Sequence, residues 1–263
     1  MRGGEAFLAA MARLPALGPG EVWLAGAGPG DPGCLTMAVA SGLAQAEVVV
    51  HDALVHDDVL SLAPRAERIF AGKRGGKPSA VQEDISATLV ALAQAGRRVL
   101  RLKGGDPYVF GRGGEEAQAL AEAGVPFRVL PGVTAGLAGL AAAGIPPTMR
   151  GLNKAITLAT GHAAGTADDL DWQALARTGQ PVVVYMGLKS LPLIVGQLLQ
   201  GGLPPETPAA VIVAATTPEQ QILVSTLGRI AAEAARQNLS TPALVVVGSI
   251  VSMHGRLGTG AAE

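Results

Sequence analysis

Acidic and basic side chains stand directly after short apolar runs at three places in this sequence. Asp52 follows a run that ends at residue 51, Lys73 and Arg74 follow a run that ends at residue 70, and Asp106 comes shortly after residues 99–103. Ligands of parallel α/β sheets bind beyond the carboxyl ends of the strands. A carboxylate in that position can accept a proton, and cations there suit a ligand that carries carboxylates or phosphates. The spacing therefore predicts a small-molecule site built from strand-end loops.

The segment 103–116 carries the most information about such a site. Its glycine pair at 104–105 would let a ligand lie against bare backbone. Asp106 could accept hydrogen bonds from a ribose or an ammonium group. Arg112 and Glu115 stand near the start of a predicted helix, so they could face a ligand, pair with each other or cap the helix.

Two other loops admit more than one interpretation. The segment 26–32 begins like a dinucleotide-binding fingerprint, but Pro29 and Pro32 remove backbone N–H groups that a phosphate needs. These prolines count against a nucleotide-binding oxidoreductase. Asp52 could cap the helix that follows it or act as a catalyst, and its position alone favours neither role.

Apolar runs of strand length alternate with segments of helical spacing, which is typical of α/β domains. Five strands fit in residues 20–131, in the pattern of a mainly parallel sheet. The later half contains further strand-like runs, helices over 191–199 and 230–236, and a hairpin turn at Thr217-Pro218-Glu219. The predicted fold class is therefore α/β, with a second domain whose sheet is mixed.

The pattern also suggests where the domains divide. We place an N-terminal arm at 1–20, an N-terminal α/β domain at 21–133, a C-terminal mixed α/β domain at 134–255 and a tail at 256–263. The segment Gly144-Ile145-Pro146-Pro147 breaks the regular pattern and is the best candidate for a linker.

Composition and charge exclude several classes of function. The 263 residues carry a formal net charge of −1 and 3 % aromatic residues, which argues against a nucleic-acid partner. Cys34 is the single cysteine, so the chain forms no internal disulfide, and a cysteine-based metal site is not expected. The apolar runs are too short to span a membrane, and the first residues do not resemble a secretion signal. A cytoplasmic location is the resulting prediction.

Taken in order, the strand-end loops resemble the tetrapyrrole methylase family over about residues 21–250. The motifs that carry the resemblance are residues 26–32, Leu35-Thr36, residues 52–55, Gly72-Lys73-Arg74 with Gln82-Glu83, residues 103–107 and 110–116, Tyr185-Met186-Gly187 and Thr241-Pro242-Ala243. The segment 103–116 is the strongest of them. The chain departs from the commonest pattern of the family at His51, Lys77-Pro78 and Met149.

The resemblance implies two α/β domains with the active-site cleft between them, and a homodimer. It implies S-adenosyl-methionine as the methyl donor, S-adenosyl-homocysteine as the product, and no metal. The residues that it assigns to the cofactor are Pro29, Gly104, Gly105, Asp106, Val109, Thr134, Ala135, Met186, Ala215 and Ala243.

Catalytic and substrate-binding roles also come from the resemblance. Asp52 would be the proton acceptor, Lys73 the proton donor, and Arg150 a third catalytic residue. The residues facing the tetrapyrrole would be Arg112, Glu115, Arg150 and Met186. A carboxylate such as Asp52 could stabilise the positive charge that methylation builds on the ring, or remove the proton afterwards.

The implied reaction is methylation of uroporphyrinogen III at carbons 2 and 7, which gives precorrin-2 via precorrin-1. Within the same family, the alternatives are a later precorrin or cobalt-precorrin, or a macromolecular acceptor such as RNA or a modified protein histidine. The segment 111–116 and the context of Arg150 favour uroporphyrinogen III, and the near-neutral charge and the pattern after Pro107 count against a macromolecule. A non-catalytic binding protein is disfavoured by the charged groups on several strand-end loops.

Overall fold

The computed structural model describes residue 9, residues 12–72 and residues 82–257, and at position 82 the backbone alone. The chain divides into two units, with the division between Thr134 and Ala135. Each unit contains one five-stranded sheet with helices packed on it, which confirms the predicted α/β fold class. In the described ranges, no helix has the length and apolar character that a bilayer crossing requires.

The first unit is built on a parallel sheet. Its strands are β1 (Val22–Gly26), β2 (Val48–His51), β3 (Glu67–Phe70), β4 (Val99–Lys103) and β5 (Phe127–Leu130). They lie in the order β3-β2-β4-β1-β5, and neighbouring strands pair in parallel. Every residue of β1 and β4 is buried, as expected for central strands covered on both faces. Because the strands are parallel, their carboxyl ends share one edge of the sheet.

Helices cover both faces of this parallel sheet. They are α1 (Met37–Gln45), α2 (Asp57–Leu60), α3 (Gln82–Gln94) and α4 (Gly113–Glu122). The neighbouring β1 residues Trp23 and Leu24 point to opposite faces, so each contributes to a different core. Trp23 packs in the core that α1 and α2 cover, and Leu24 packs in the core that α3 and α4 cover.

The second unit contains a mixed sheet. Its strands are β6 (Thr157–Thr160), β7 (Val182–Tyr185), β8 (Pro208–Val213), β9 (Gln221–Thr226) and β10 (Ala243–Val247). Their order is β6-β7-β10-β8-β9, with β6 and β7 parallel and the other pairs antiparallel. Strands β8 and β9 form the hairpin predicted around Thr217, and the predicted mixed character is confirmed.

Helices flank the mixed sheet as well. They are α5 (Ala135–Ala142), α6 (Trp172–Arg177), α7 (Leu191–Gln200) and α8 (Leu227–Arg236). Helix α5 packs on one face, and α6, α7 and α8 pack on the other. The two faces again draw on alternate strand residues, for example Val183 on the α5 side and Val184 on the opposite side.

One local expectation is wrong, and one helix was not predicted. The linker expected at Gly144–Pro147 is part of the second unit's core, because Ile145 is fully buried and packs in the same cluster as Leu140 of α5. Helix α6 is missing from the sequence-based prediction. It spans six residues, too few for a helical period to stand out, and it begins where the Asp171 carboxylate accepts a hydrogen bond from the Ala174 N–H at 2.8 Å.

Three glycines allow the backbone to approach itself closely at the carboxyl edge of the first sheet. A Cβ atom on Gly26 would lie 2.5 Å from the Gly105 carbonyl oxygen and 2.5 Å from the Gly132 Cα. A Cβ atom on Gly132 would overlap the same Gly105 oxygen and lie 2.7 Å from the Gly26 Cα. Gly105 itself has φ = 68°, in the left-handed region. Side chains at these positions would therefore push apart the ends of β1, β4 and β5.

Replacement of Gly132 by Ala should lower the free energy of unfolding by about 3 kcal/mol, because the new methyl group meets backbone that cannot rotate away. Gly114→Ala is the matched control in the same unit. Gly114 lies in α4, where a Cβ atom would meet nothing within 4 Å, so Ala should be neutral or stabilise by up to about 1 kcal/mol. Chemical denaturation of both variants measures the difference, and equal midpoints would contradict the close-approach argument.

Candidate active site

The loops after β1 and β4 are joined by backbone hydrogen bonds. Gly105 N–H donates to the Gly28 carbonyl at 2.7 Å, and Gly28 N–H donates to the Gly105 carbonyl at 3.2 Å. Ala27 N–H also donates to the Lys103 carbonyl at 2.7 Å. This short antiparallel bridge brings the loop that contains Pro29 beside the glycine pair at 104–105. Two segments that were predicted to bind one cofactor therefore lie together.

Asp106 ties the β4 loop to the end of β5. Its Oδ1 accepts a hydrogen bond from Tyr108 N–H at 2.8 Å, and its Oδ2 accepts one from Gly132 N–H at 3.0 Å. Val109 N–H donates to the Asp106 carbonyl at 3.3 Å, which closes a turn. An ionised carboxylate has about four acceptor positions, so these two bonds leave capacity for a ligand. Thr134, two residues beyond Gly132, is buried near the end of this unit.

The loop that contains Asp52 rests on two glycines of neighbouring loops. A Cβ atom on Gly72 would lie 2.5 Å from the Ala53 nitrogen, and one on Gly104 would lie 2.8 Å from the Leu54 Cβ. The Asp52 carboxylate accepts a hydrogen bond from Leu54 N–H at 3.1 Å, which forms a local turn. The glycine pair at 104–105 thus serves loop packing as well as any ligand.

Asp52 does not cap the helix that follows it. The cap of α2 is His56, whose Nδ1 accepts a hydrogen bond from Asp58 N–H at 3.3 Å. The capping alternative for Asp52 is therefore wrong. Its side chain is 26 % exposed, and its Oδ2 lies 4.0 Å from a guanidinium nitrogen of Arg101. Asp52 thus has an accessible side and a side that faces a buried cation.

Beneath this loop, three charged side chains are buried between the sheet and α4. Arg101, Lys103 and Glu116 are 2 %, 3 % and 0 % exposed. The Glu116 Oε1 accepts hydrogen bonds from Arg101 Nε and from Lys103 Nζ, both at 3.0 Å. Another Arg101 nitrogen donates to the Val50 carbonyl at 3.3 Å and to that of Leu102 at 3.4 Å. Buried charges persist only when they are paired in this manner.

The surroundings of Lys103 act on its protonation in opposite directions. Burial lowers the pKa of Lys103, and repulsion from Arg101 lowers it further. Attraction and hydrogen bonding to Glu116 raise this pKa, with a smaller contribution from Asp52, but the net direction is downward. Glu116 is therefore the group that most favours the charged form of Lys103.

Arg112 and Glu115 form a bidentate ion pair at the start of α4. Arg112 Nε donates to one carboxylate oxygen at 2.9 Å, and a terminal nitrogen donates to the other at 2.6 Å. These hydrogen bonds raise the pKa of Arg112 and lower the pKa of Glu115. Both side chains are more than half exposed, so water screens the pair and its contribution to stability is small. The guanidinium is oriented yet remains open to a ligand.

In the second unit, Tyr185 links the end of β7 to the start of α5. Its hydroxyl oxygen accepts a hydrogen bond from Gly136 N–H at 2.8 Å. A Cβ atom on Gly136 would overlap this hydroxyl, so only glycine lets the phenol ring reach the helix. The predicted cofactor residues Ala135 and Met186 adjoin the two ends of this contact. Met186 is 49 % exposed and follows β7 directly.

Ala215 and Ala243 lie at the same edge of the mixed sheet. Ala243 begins β10 opposite Val213, and Ala214 N–H donates to the Pro242 carbonyl at 2.9 Å. A Cβ atom on Gly139 of α5 would lie 2.9 Å from the Ala215 Cβ. Ala215 thus contacts the middle of α5, and Ala243 precedes Leu244, which pairs with Tyr185 at the end of β7.

Two of the predicted catalytic residues are not joined to these groups by described contacts. Lys73 lies outside the described residues. Arg150 is exposed, and within the described ranges no acidic side chain forms an ion pair with it. Its loop is held by Asn153, whose side chain accepts a hydrogen bond from Met149 N–H at 2.8 Å and donates to the Pro147 and Ala155 carbonyls at 2.9 Å.

Left-handed backbone conformations concentrate at these loops. In the described part of the chain, six residues other than glycine have positive φ, and five of them belong to strand-end loops of the candidate site. They are Phe110, Arg112, Met186, Ala214 and Thr216, with φ between 46° and 69°. Such conformations cost energy for residues with a side chain and tend to occur at functional sites. Arg112 and Met186, both predicted site residues, are among them.

Three residues with structural contacts carry no role in the sequence-based prediction, namely Arg101 and Glu116 in the first unit and Tyr185 in the second. The sequence does indicate that Arg101 and Lys103 have a buried acidic partner. Two cations two residues apart on a buried strand share one face of the sheet and require an anion there. The sequence does not indicate which acidic residue meets them. Glu116 is 15 residues from Arg101 and lies in a helix that packs on the same face.

The sequence that folds into these loops matches a known family. A profile of the Tetrapyrrole (Corrin/Porphyrin) Methylases matches residues 21–231. The chain belongs to this family, and it is accordingly a methyltransferase. Members of the family use S-adenosyl-methionine as the methyl donor, which confirms the predicted cofactor.

The chain is also similar to individual proteins of known name or structure. The chain is 54 % identical to a uroporphyrinogen-III C-methyltransferase from a Sinorhizobium species, over 94 % of this chain and 89 % of that protein. It is 50 % identical to siroheme synthase 1 of Yersinia pseudotuberculosis over 89 % of this chain, but it spans only 50 % of that longer protein. It also resembles the crystal structure of a uroporphyrin-III C-methyltransferase from Thermus thermophilus complexed with S-adenosyl-homocysteine. That likeness has a TM-score of 0.75 and 38 % identity, and it covers 88 % of this chain and 99 % of the other.

The residues predicted to hold the cofactor are suited to it chemically. Five of the ten are glycine or alanine, which leave room for a ligand and expose backbone donors and acceptors. Asp106 is the one carboxylate among them, and it can accept hydrogen bonds from ribose hydroxyls or from the ammonium group of S-adenosyl-methionine. Met186 presents an exposed apolar side chain.

Replacement of Tyr185 by Phe should lower the free energy of unfolding by about 1 kcal/mol, because the buried Gly136 N–H loses its acceptor. The chain has two tyrosines, so Tyr108→Phe is the matched control. Tyr108 is 55 % exposed, and its replacement should change stability by less than about 0.5 kcal/mol. Urea denaturation compares the variants, and equal losses would mean that the hydroxyl does not anchor α5.

Proposed function

We propose that this chain transfers methyl groups from S-adenosyl-methionine to carbons 2 and 7 of uroporphyrinogen III, giving precorrin-2 via precorrin-1. The observation that carries the proposal is the 54 % identity to a uroporphyrinogen-III C-methyltransferase over nearly the full length of both proteins. The geometry of the strand-end loops supports the same reaction class. The homodimer and the cytoplasmic location remain predictions that accompany this proposal.

Cofactor binding is assigned to two sets of loops, one in each unit. In the first unit they are the loops around Pro29, Gly104–Asp106 and Thr134, which backbone hydrogen bonds and the Asp106 carboxylate draw together. In the second unit the set comprises Ala135, Met186, Ala215 and Ala243. Bound S-adenosyl-methionine supplies an electrophilic methyl group on a positively charged sulfur. The task of these small residues is to fix its orientation, because in-line transfer depends on alignment.

Asp52 is the proposed proton acceptor. The carboxylate is partly exposed, so a substrate can reach it. The hydrogen bond from Leu54 N–H and the charge of Arg101 restrict its orientation. Carbon methylation of a pyrrole ring leaves positive charge on the ring and a proton to remove. A fixed carboxylate stabilises that charge and accepts the proton. Lys73 is the proposed proton donor, and Arg150 the third catalytic residue.

Arg112 is the proposed contact for the carboxylates of the tetrapyrrole. Arginine suits this role because its planar guanidinium binds carboxylates through two parallel hydrogen bonds. Arg112 is more than half exposed, and Glu115 holds it in one orientation. Glu115, Arg150 and Met186 are the other residues proposed to contact the substrate.

The proposal is tested by incubating the purified chain with S-adenosyl-methionine and freshly generated uroporphyrinogen III. The expected product has gained two methyl groups by mass and absorbs as a dipyrrocorphin. Omission of the methyl donor is the control. Binding of S-adenosyl-methionine by calorimetry without transfer would contradict the proposed acceptor and favour a later precorrin or a cobalt-precorrin.

Asp52→Asn should lower kcat by about 100-fold, while the affinity for S-adenosyl-methionine changes by less than about twofold. The amide keeps the size of the carboxylate but cannot accept the proton. Asp57→Asn is the control, because Asp57 is an exposed carboxylate in the first turn of α2 and should leave kcat unchanged. Steady-state kinetics and calorimetry give the two quantities. A wild-type kcat for Asp52→Asn would remove this residue from the mechanism.

A further inference from the structure

We propose that Glu116 is a positioning residue that holds Arg101 against Asp52. This inference rests on the proposed function, since it concerns the carboxylate assigned there as the proton acceptor. Glu116 is fully buried and does not itself reach the accessible side of Asp52; its effect passes through the guanidinium of Arg101.

Each nitrogen of the Arg101 guanidinium has a separate partner. The Nε donates to Glu116 at 3.0 Å, and one terminal nitrogen donates to the Val50 and Leu102 carbonyls. The remaining terminal nitrogen lies 4.0 Å from the Asp52 Oδ2. Because the guanidinium is planar and rigid, fixing two of its nitrogens also fixes the direction of the third. Glu116 and the two carbonyls therefore together determine which way the positive charge faces, and Glu116 is the charged one of these anchors.

The same carboxylate keeps two cations together on one buried strand. Arg101 and Lys103 project to the same face of β4, and both bind the Glu116 Oε1. Without this negative charge the two cations repel each other, and burial would favour loss of the proton from Lys103, whose pKa is already lowered. Arg101 would then be free to turn toward other acceptors. The fixed charge beside Asp52 thus depends on a residue that no substrate touches.

The test is a double-mutant cycle that combines Glu116→Gln with Asp52→Asn. If Glu116 acts through Asp52, Glu116→Gln lowers kcat by about tenfold in the wild-type background and by less than about twofold in the Asp52→Asn background. The KM for S-adenosyl-methionine should change by less than about twofold. A purely structural role would lower kcat by the same factor in both backgrounds, and that result would overturn the proposal.

Glu116→Gln leaves two buried cations with less compensation, so it could fail to fold. The variant Glu116→Gln/Lys103→Met removes one cation together with the anion, so the net charge of the buried group does not change while Arg101 still loses its anchor. We expect this variant to regain stability without regaining kcat. Recovery of the wild-type kcat in it would also overturn the proposal. Glu67→Gln is the control, because Glu67 pairs with Arg97 at the opposite, exposed edge of the same sheet and should leave kcat unchanged.

Failure of the proposed function is recognised separately in this design. The methyl acceptor is identified first with the wild-type chain. If it is not uroporphyrinogen III, the double-mutant cycle is run with the acceptor that was found, and its interpretation does not change. A wrong assignment of Asp52 is detected in the Asp52→Asn variant alone. If Asp52→Asn lowers kcat but Glu116→Gln lowers kcat by the same factor in both backgrounds, only the role of Glu116 is contradicted.

Discussion

At the carboxyl edge of the first sheet, the backbones at the ends of β1, β4 and β5 contact each other with no side chains between them. The arrangement of the candidate site loops depends on this close approach. Gly26, Gly105 and Gly132 come from the ends of three neighbouring strands, and at the first and last of them no Cβ atom fits. The closeness lets the loops after β1 and β4 form their hydrogen-bonded bridge and lets the Asp106 carboxylate reach the backbone beyond β5. Several distant segments of sequence thereby become one surface.

Electrostatics imposes a second constraint on the same region. The strand β4 ends in a buried pair of cations, an arrangement that hydrophobic burial alone would exclude. One carboxylate from α4 compensates them, so the position of α4 is coupled to the side chains at the end of β4. The loop 104–112 joins these two elements, and it contains Asp106 and Arg112. Packing, charge compensation and the proposed ligand contacts therefore act on one short stretch of chain.

The sequence predicts the strands well because their β-branched and apolar runs end in glycine or charge, as at Val48–His51 and Val99–Lys103. It also predicts candidate site loops around Asp52 and Asp106, since residue type and strand-end position coincide there. It cannot assign Glu116 to Arg101, because that pairing depends on how α4 packs on the sheet. Nor does it distinguish a capping role for Asp52 from others, since the cap one turn later, His56, is an uncommon choice. Short elements such as α6 lack the length that a period requires.

The order of strands in the two sheets has a consequence for the growing chain during synthesis. Within the described residues, strand β1 pairs with β4 and β5, so residues 22–26 have no neighbouring strand until residues 99–103 have been made, and one edge of β1 stays open until residues 127–130 follow. In the second sheet, β10 lies between β7 and β8, so the middle of that sheet stays open until residues 243–247 emerge. Each unit therefore exposes unpaired apolar strands until its last strand is translated. A nascent chain of this topology depends on rapid closure or on chaperones to avoid aggregation.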